Sequence, residues 1–197
     1  MAFRVVVLVS GSGTLLQALL DEASAGRLDA EIVAVGTDVP DCRGVERARD
    51  AGIATFSHPM PKLLRRGTQE RADWDAGLAD QVAAFAPDLI ISAGFMKLFD
   101  RPFLDRFGGR IVNTHPALLP NFPGAHAVRD TLAAGVDVTG ASIFWVNDGV
   151  DTGDVIVAEA VAVLAGDTEE FLHERIKVVE RRLLVETVNK LAKKGTP

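Results

Sequence analysis

Asn113 and His115 stand two residues apart in the run Arg110-Ile111-Val112-Asn113-Thr114-His115, which ends at Pro116. Alternate residues of a strand share a face, so an amide and an imidazole project together from the strand's end. The pair suits attack of an amine on a carbonyl carbon: the amide N–H and a protonated imidazole stabilise the oxyanion, and the imidazole also carries a proton. The same two side chains could equally close a strand end by hydrogen bonding, and an Asn-x-His pair alone does not choose between these roles.

Three further segments carry polar groups in patterned positions. Ser10-Gly11-Ser12-Gly13-Thr14 offers backbone amides to an anion at a helix start, or else is a tight turn with Ser12 or Thr14 as the cap. Asn147 to Asp154 is an acid-rich loop that could orient a histidine or simply turn the chain. His173, Lys177 and Glu180 fall on one face of a C-terminal helix by their three-and-four spacing, a pattern that more often meets water than a ligand. The proline-bounded stretch Ala117 to Gly124 either walls a pocket or anchors a loop.

Other chemistries find less support. No Lys follows the glycines to make a P-loop, and Leu16 stands where a dinucleotide fold has its third glycine; Asp38, ending the second strand, is then a turn residue before it is a ribose ligand. There is no Gly-x-Ser-x-Gly elbow, and the single cysteine, Cys42, has no nucleophile context. Histidines 58, 115, 126 and 173 are too scattered to suggest a metal site, so none is expected. With 21 Lys and Arg against 27 Asp and Glu, a net charge of -6 argues against a nucleic-acid partner. No run approaches the roughly 20 apolar residues of a membrane span. A cytoplasmic location is the expectation from one unpaired cysteine and no leader pattern.

The elements around these segments alternate. Phe3 to Val9 reads as a strand covered on both faces, Leu15, Leu16, Leu19 and Leu20 as a helix, and Glu31 to Val35 as the next strand. A helix near Arg43 to Ala51, a strand Ile53 to Phe56, a helix from about Thr68 to Phe85, strands Asp88 to Ser92 and Arg110 to His115, and a helix Ala125 to Ala134 continue the rhythm. Thr139 to Val146 and Val155 to Val163 follow without an intervening helix, which predicts an antiparallel edge. Asp167 and Glu170 read as the start of a last helix, with Phe171, Ile176, Val179, Leu183 and Leu191 as its apolar stripe. The expected fold is α/β: a doubly wound, mostly parallel Rossmann-like sheet with helices on both faces.

Taken together, VVLVSGSGTLLQALL, SAGFMKLF, IVNTHPALLPNFPG and NDGVDTGDVI resemble the glycinamide ribonucleotide formyltransferases from about Arg4 to Glu180. The resemblance implies one formyltransferase domain over 1–197, with about 1–100 the phosphate-binding half and about 101–197 the folate-binding and catalytic half. It implies transfer of a formyl group from 10-formyltetrahydrofolate, a cosubstrate with no tightly bound cofactor beside it, to glycinamide ribonucleotide. By the same resemblance Asn113, His115 and Asp151 are catalytic. Gly13, Thr14, Leu15, Lys177 and Glu180 would bind the ribonucleotide. Arg71, Met96, Lys97, Leu98, Phe99, Asn113, Asn147 and Asp148 would bind folate. Leu15, Lys97 and Phe99 stand where many members have Asn, Arg and Leu; Leu15 removes a phosphate donor, and Phe99 is expected to reshape the folate pocket. Partners are then these two small molecules, with no nucleic acid or membrane, and the chain a monomer or homodimer.

Deformylases, methionyl-tRNA formyltransferases and sugar-nucleotide formyltransferases share the trio, but extra domains mark them and this chain is expected to have no room for those. Outside that class, a nicotinamide-dependent oxidoreductase would show itself by cofactor binding, and a non-catalytic folate-binding module by the absence of turnover.

Overall fold

Along the first strand, β1 (Phe3–Val9), side chains sort by parity. Val5, Val7 and Val9 enter one apolar cluster and Val6 and Leu8 another, so a strand with a continuous hydrophobic run feeds two cores, one per face. The computed structural model describes residues 2–61 and 64–194. The elements that follow are α1 (Thr14–Ser24), β2 (Ala30–Thr37), α2 (Arg43–Asp50), β3 (Thr55–Ser57), α3 (Gln69–Ala83), β4 (Leu89–Ser92), α4 (Arg101–Phe107), β5 (Ile111–His115), α5 (Ala127–Ala134), β6 (Val138–Trp145), β7 (Val155–Ala162) and α6 (Glu169–Lys194). The seven strands form one sheet in the order β3-β2-β1-β4-β5-β6-β7. The first five are parallel, and β6 and β7 pair antiparallel at the edge, as the lack of a helix between them predicts; β6 is also antiparallel to β5, although α5 separates those two strands. The strand order reverses direction of growth at β1, which places a crevice at the carboxyl ends of β1, β4 and β5.

α1 and α6 cover one face through Leu16, Leu19, Ile176, Leu183 and Leu184, while α3 and α4 cover the other through Trp74, Leu78, Phe103 and Phe107. α4 is an element the hydrophobic pattern alone does not announce at seven residues. Its local signal is Asp100, whose carboxylate caps Arg101 N, with a proline in the first turn. The last helix starts differently from expectation. Thr168 caps it by accepting from Phe171 N at 3.3 Å, while Asp167 accepts from Leu164 N at 2.8 Å and pairs with Arg175. The apolar stripe shifts accordingly: Leu172 is fully buried and Phe171 is 66% exposed, because the sheet receives the helix one residue further round. No helix among the described residues is long and apolar enough to cross a membrane.

Candidate active site

The crevice is a cleft of about 570 Å³. Its lining includes Gly11 to Leu15 after β1, Ser92 to Phe99 from the end of β4, Asn113 to Pro116 at the end of β5, the loop 146–151 apart from Asp148, and His173, Lys177 and Glu180 of α6. Segments separated by more than a hundred residues thus share one cavity, of the size that holds small-molecule ligands.

The glycine segment is a turn without a side-chain cap. Gly13 occupies the N-cap of α1 with φ 68°, and neither Ser12 nor Thr14 caps the helix, so the first amides of α1 are not taken by a cap side chain. The N-terminus of α2 braces the turn. Gly44 N donates to Gly11 O at 2.9 Å, and Arg47 donates to Ser12 O at 2.9 Å and to Gln17 at 2.6 Å. A Cβ on Gly13 would lie 2.5 Å from Gly44 Cα, besides requiring a left-handed backbone. Gly13→Ala is therefore expected to lose about 1–3 kcal/mol, read as a fall in Tm of roughly 2–4 °C per kcal/mol. Gly11→Ala, whose Cβ meets nothing within 4 Å, should be nearly neutral; equal Tm losses in the two variants would refute the close-approach explanation.

On β5, alternation sets Asn113 and His115 on one face and Thr114 on the other. His115 is buried. Its Nε2 lies 2.7 Å from Phe122 O, and since a carbonyl only accepts, Nε2 carries the proton. Its Nδ1 faces Asp151 Oδ2 at 3.4 Å. The same carboxylate oxygen accepts from Gly124 N at 2.7 Å, which ties the acid loop to the proline-bounded stretch. Asp151 has φ 53°, in the left-handed region that a residue with a Cβ rarely adopts, so the loop holds this carboxylate against backbone strain. An imidazolium at His115 would thus be held by a carbonyl on one side and a carboxylate on the other. The Asn113 amide has no hydrogen-bond partner among the described residues.

Across the cleft, Glu180 is buried, with the Thr114 side chain beside it. Burial pushes its carboxyl above the ordinary value, against the opposing influence of Thr114, Lys177 and Arg181. His173, one turn before Lys177, is held below the ordinary histidine value by burial first and by the Lys177 charge second. Lys177 reaches Glu174 at 2.6 Å. The three-and-four spacing on α6 is therefore a cleft-facing row, and Thr114 is the partner that sequence inspection passes over.

The folate residues anticipated from the resemblance divide. Met96, Lys97, Leu98, Phe99, Asn113 and Asn147 line the cleft, whereas Arg71 and Asp148 do not. Arg71 is buried behind the wall, paired with Asp75 and donating to Leu98 O. Asp148 turns outward, 3.8 Å from Arg101. Asn147 spends its carbonyl oxygen on Gly149 N and Thr152 Oγ1, closing the loop. Phe99 lines the cleft and stacks inward on Phe103 at 4.4 Å and on Phe95 at 5.6 Å. Among the described residues no group of three His, Cys, Asp or Glu could hold a metal ion.

The sequence profile of the formyl transferase family matches residues 3–188. The chain belongs to the formyl transferase family. Among formyl transferases, it is 50% identical to the phosphoribosylglycinamide formyltransferase of Mycobacterium tuberculosis H37Rv, over 98% of this chain and 86% of that protein. The enzyme of the same name from Escherichia coli K12 is 36% identical over 91% of this chain and 82% of its own. The crystal structure of glycinamide ribonucleotide transformylase 1 from Symbiobacterium toebii superposes with a TM-score of 0.91 at 41% identity, covering 98% of this chain and 88% of the other. The seven-stranded sheet with its antiparallel edge is thus the formyl transferase fold.

Proposed function

We propose that this formyl transferase moves the formyl group of 10-formyltetrahydrofolate to the amine of glycinamide ribonucleotide, giving formylglycinamide ribonucleotide and tetrahydrofolate in purine synthesis. The observation that carries the reading is the meeting of Asn113, His115 and Asp151 with the uncapped glycine turn and with Glu180 in one cleft. The α1 amides at Gly13, Thr14 and Leu15 receive the phosphate, aided by the helix dipole and by Lys177. Because those donors are backbone groups, Leu15 does not abolish the site. Glu180 accepts from the glycinamide amine. Met96 to Phe99 and Asn147 border the folate, while Arg71 and Asp148 act from outside the cleft by shaping its walls. The cleft draws on both halves of one domain.

In the reaction the amine nitrogen forms a bond to the formyl carbon, and the carbonyl electron pair moves to oxygen. Asn113 Nδ2, which has no other partner among the described residues, donates to that oxyanion, and His115 joins it by releasing one of its present contacts. Asp151 holds the imidazolium. The bond from carbon to folate N10 then breaks, and the proton lost by the amine reaches N10 through His115 or water. No metal takes part. Small molecules are the partners, monomer and homodimer both accommodate the reading, and the location is cytoplasmic.

Folate absorbance followed with and without glycinamide ribonucleotide tests this. Tetrahydrofolate formation that requires the ribonucleotide is the expected result. Release without an acceptor would identify a deformylase, and no release under either condition would overturn formyl transfer.

A further inference from the structure

Residues 95–99 wall the cleft, the chain from 95 to 100 has no regular secondary structure, and Met96 and Leu98 are exposed. A segment of this kind keeps one conformation only if groups outside it tie it down. At its C-terminal end the tie is Asp75, which pairs with Arg71 and accepts from Asp100 N at 2.8 Å, while Arg71 holds Leu98 O. At its N-terminal end it is Asp38, the residue that follows β2. Ser10 Oγ donates to Asp38 Oδ1 at 2.5 Å and accepts from Met96 N at 2.8 Å. Lys97 Nζ lies 2.7 Å from Asp38 Oδ2, whose side chain is 2% exposed. Ser10 also donates its own N–H to Gly94 O at 3.1 Å. Asp38 does not line the cleft, yet through Ser10 and Lys97 it meets both the start of the glycine turn and two successive residues of the wall.

We propose that Asp38 is a positioning residue for folate binding: with Ser10 and Lys97 it locks residues 96–99 onto the end of β1, so the wall is preformed before the cosubstrate arrives. A buried carboxylate facing one ammonium and one hydroxyl is strongly directional, because an unpaired charge there is costly. The inference rests on the formyl-transfer reading above. It differs from the dinucleotide alternative for Asp38, since both carboxylate oxygens are engaged by the protein and neither meets the cleft.

Asp38→Asn tests the tie with little change of shape, as the amide oxygen still accepts from Ser10 while the amide nitrogen cannot pair with Lys97. The expected result is a rise of about 10-fold in KM for 10-formyltetrahydrofolate, with KM for glycinamide ribonucleotide within about 2-fold, as loss of one charge-assisted bond implies. Deuterium exchange of residues 95–100 should quicken by about the same factor. In a Lys97→Met background, adding Asp38→Asn should not raise the folate KM further, because the partner is already gone and the substitution removes the unpaired buried charge. Unchanged folate KM, equal rises in both KM values, or the same added effect in both backgrounds would each overturn the proposal. If the wild-type protein turns over and any of these holds, Asp38 alone is misassigned; if the wild type never transfers formyl, the reading beneath it fails as well.

Discussion

His115→Ala is expected to lower kcat by about three orders of magnitude, the combined scale of a lost general acid–base group and a lost oxyanion donor. KM for glycinamide ribonucleotide should stay within about 3-fold, because the phosphate and amine sites lie on other elements. The structural reason is specific. His115 is the group that connects a carbonyl, Phe122 O at 2.7 Å, with a carboxylate, Asp151 Oδ2 at 3.4 Å, at the end of the strand that also carries Asn113. Asp151→Asn should cost less alone, about 100-fold, and nothing further in the His115→Ala background, since an acid that acts through the imidazole has no role without it. Steady-state kinetics on the two single variants and the double variant check both statements. Retention of more than a tenth of wild-type kcat by His115→Ala would remove His115 from the chemistry, and additive losses would mean that Asp151 acts apart from the imidazole.

The second large effect concerns Glu180, where binding and stability are expected to oppose each other. Burial raises its carboxyl from an ordinary value of 4.5. When the folded value lies above the unfolded one, the group favours folding most below the unfolded value, where both states hold the proton. As pH rises from about 4.5 through the folded value, the unfolded chain releases its proton first and that contribution is lost. Glu180→Gln keeps a hydrogen-bonding group beside Thr114 and removes the titration. Its Tm relative to wild type should therefore climb with pH over that window and stay above wild type at pH near 8, while kcat/KM for glycinamide ribonucleotide falls about 10- to 100-fold with the charged contact. Thermal melts at several pH values, set beside kinetics at one, decide it. A Tm difference independent of pH would mean that the buried carboxyl does not titrate as the site implies.

Much of this site is visible in the residues themselves. The parity of Asn113 and His115 puts them on one face whatever surrounds the strand, and the spacing of His173, Lys177 and Glu180 gives them one side of a helix. The glycines after β1 require a turn there because no residue with a Cβ tolerates both the left-handed backbone at Gly13 and the approach of Gly44. The parallel part of the sheet and the β6–β7 hairpin follow from whether a helix-length segment separates successive strands, whereas the antiparallel pairing of β6 with β5 does not, since α5 lies between them. The resemblance of the four strings adds the roles, and the family match over 3–188 agrees with the span they cover.

What the chain order leaves open is which side chains finish facing one another across long separations. Periodicity defines an apolar stripe on α6 but not its rotation, so Leu172 rather than Phe171 enters the core once the sheet's own side chains set the groove. An arginine in the helix Gln69–Ala83 has no sequence mark that separates a cleft ligand from a buried brace; Arg71 becomes the brace because Asp75 and Leu98 O close around it. Asp38 reads as a turn residue until β1 and β4 bring Ser10 and Lys97 to it. Local chemistry depends on neighbours in sequence and is legible at once. Charge partners and burial depend on packing between elements, and those are settled only when the sheet has closed.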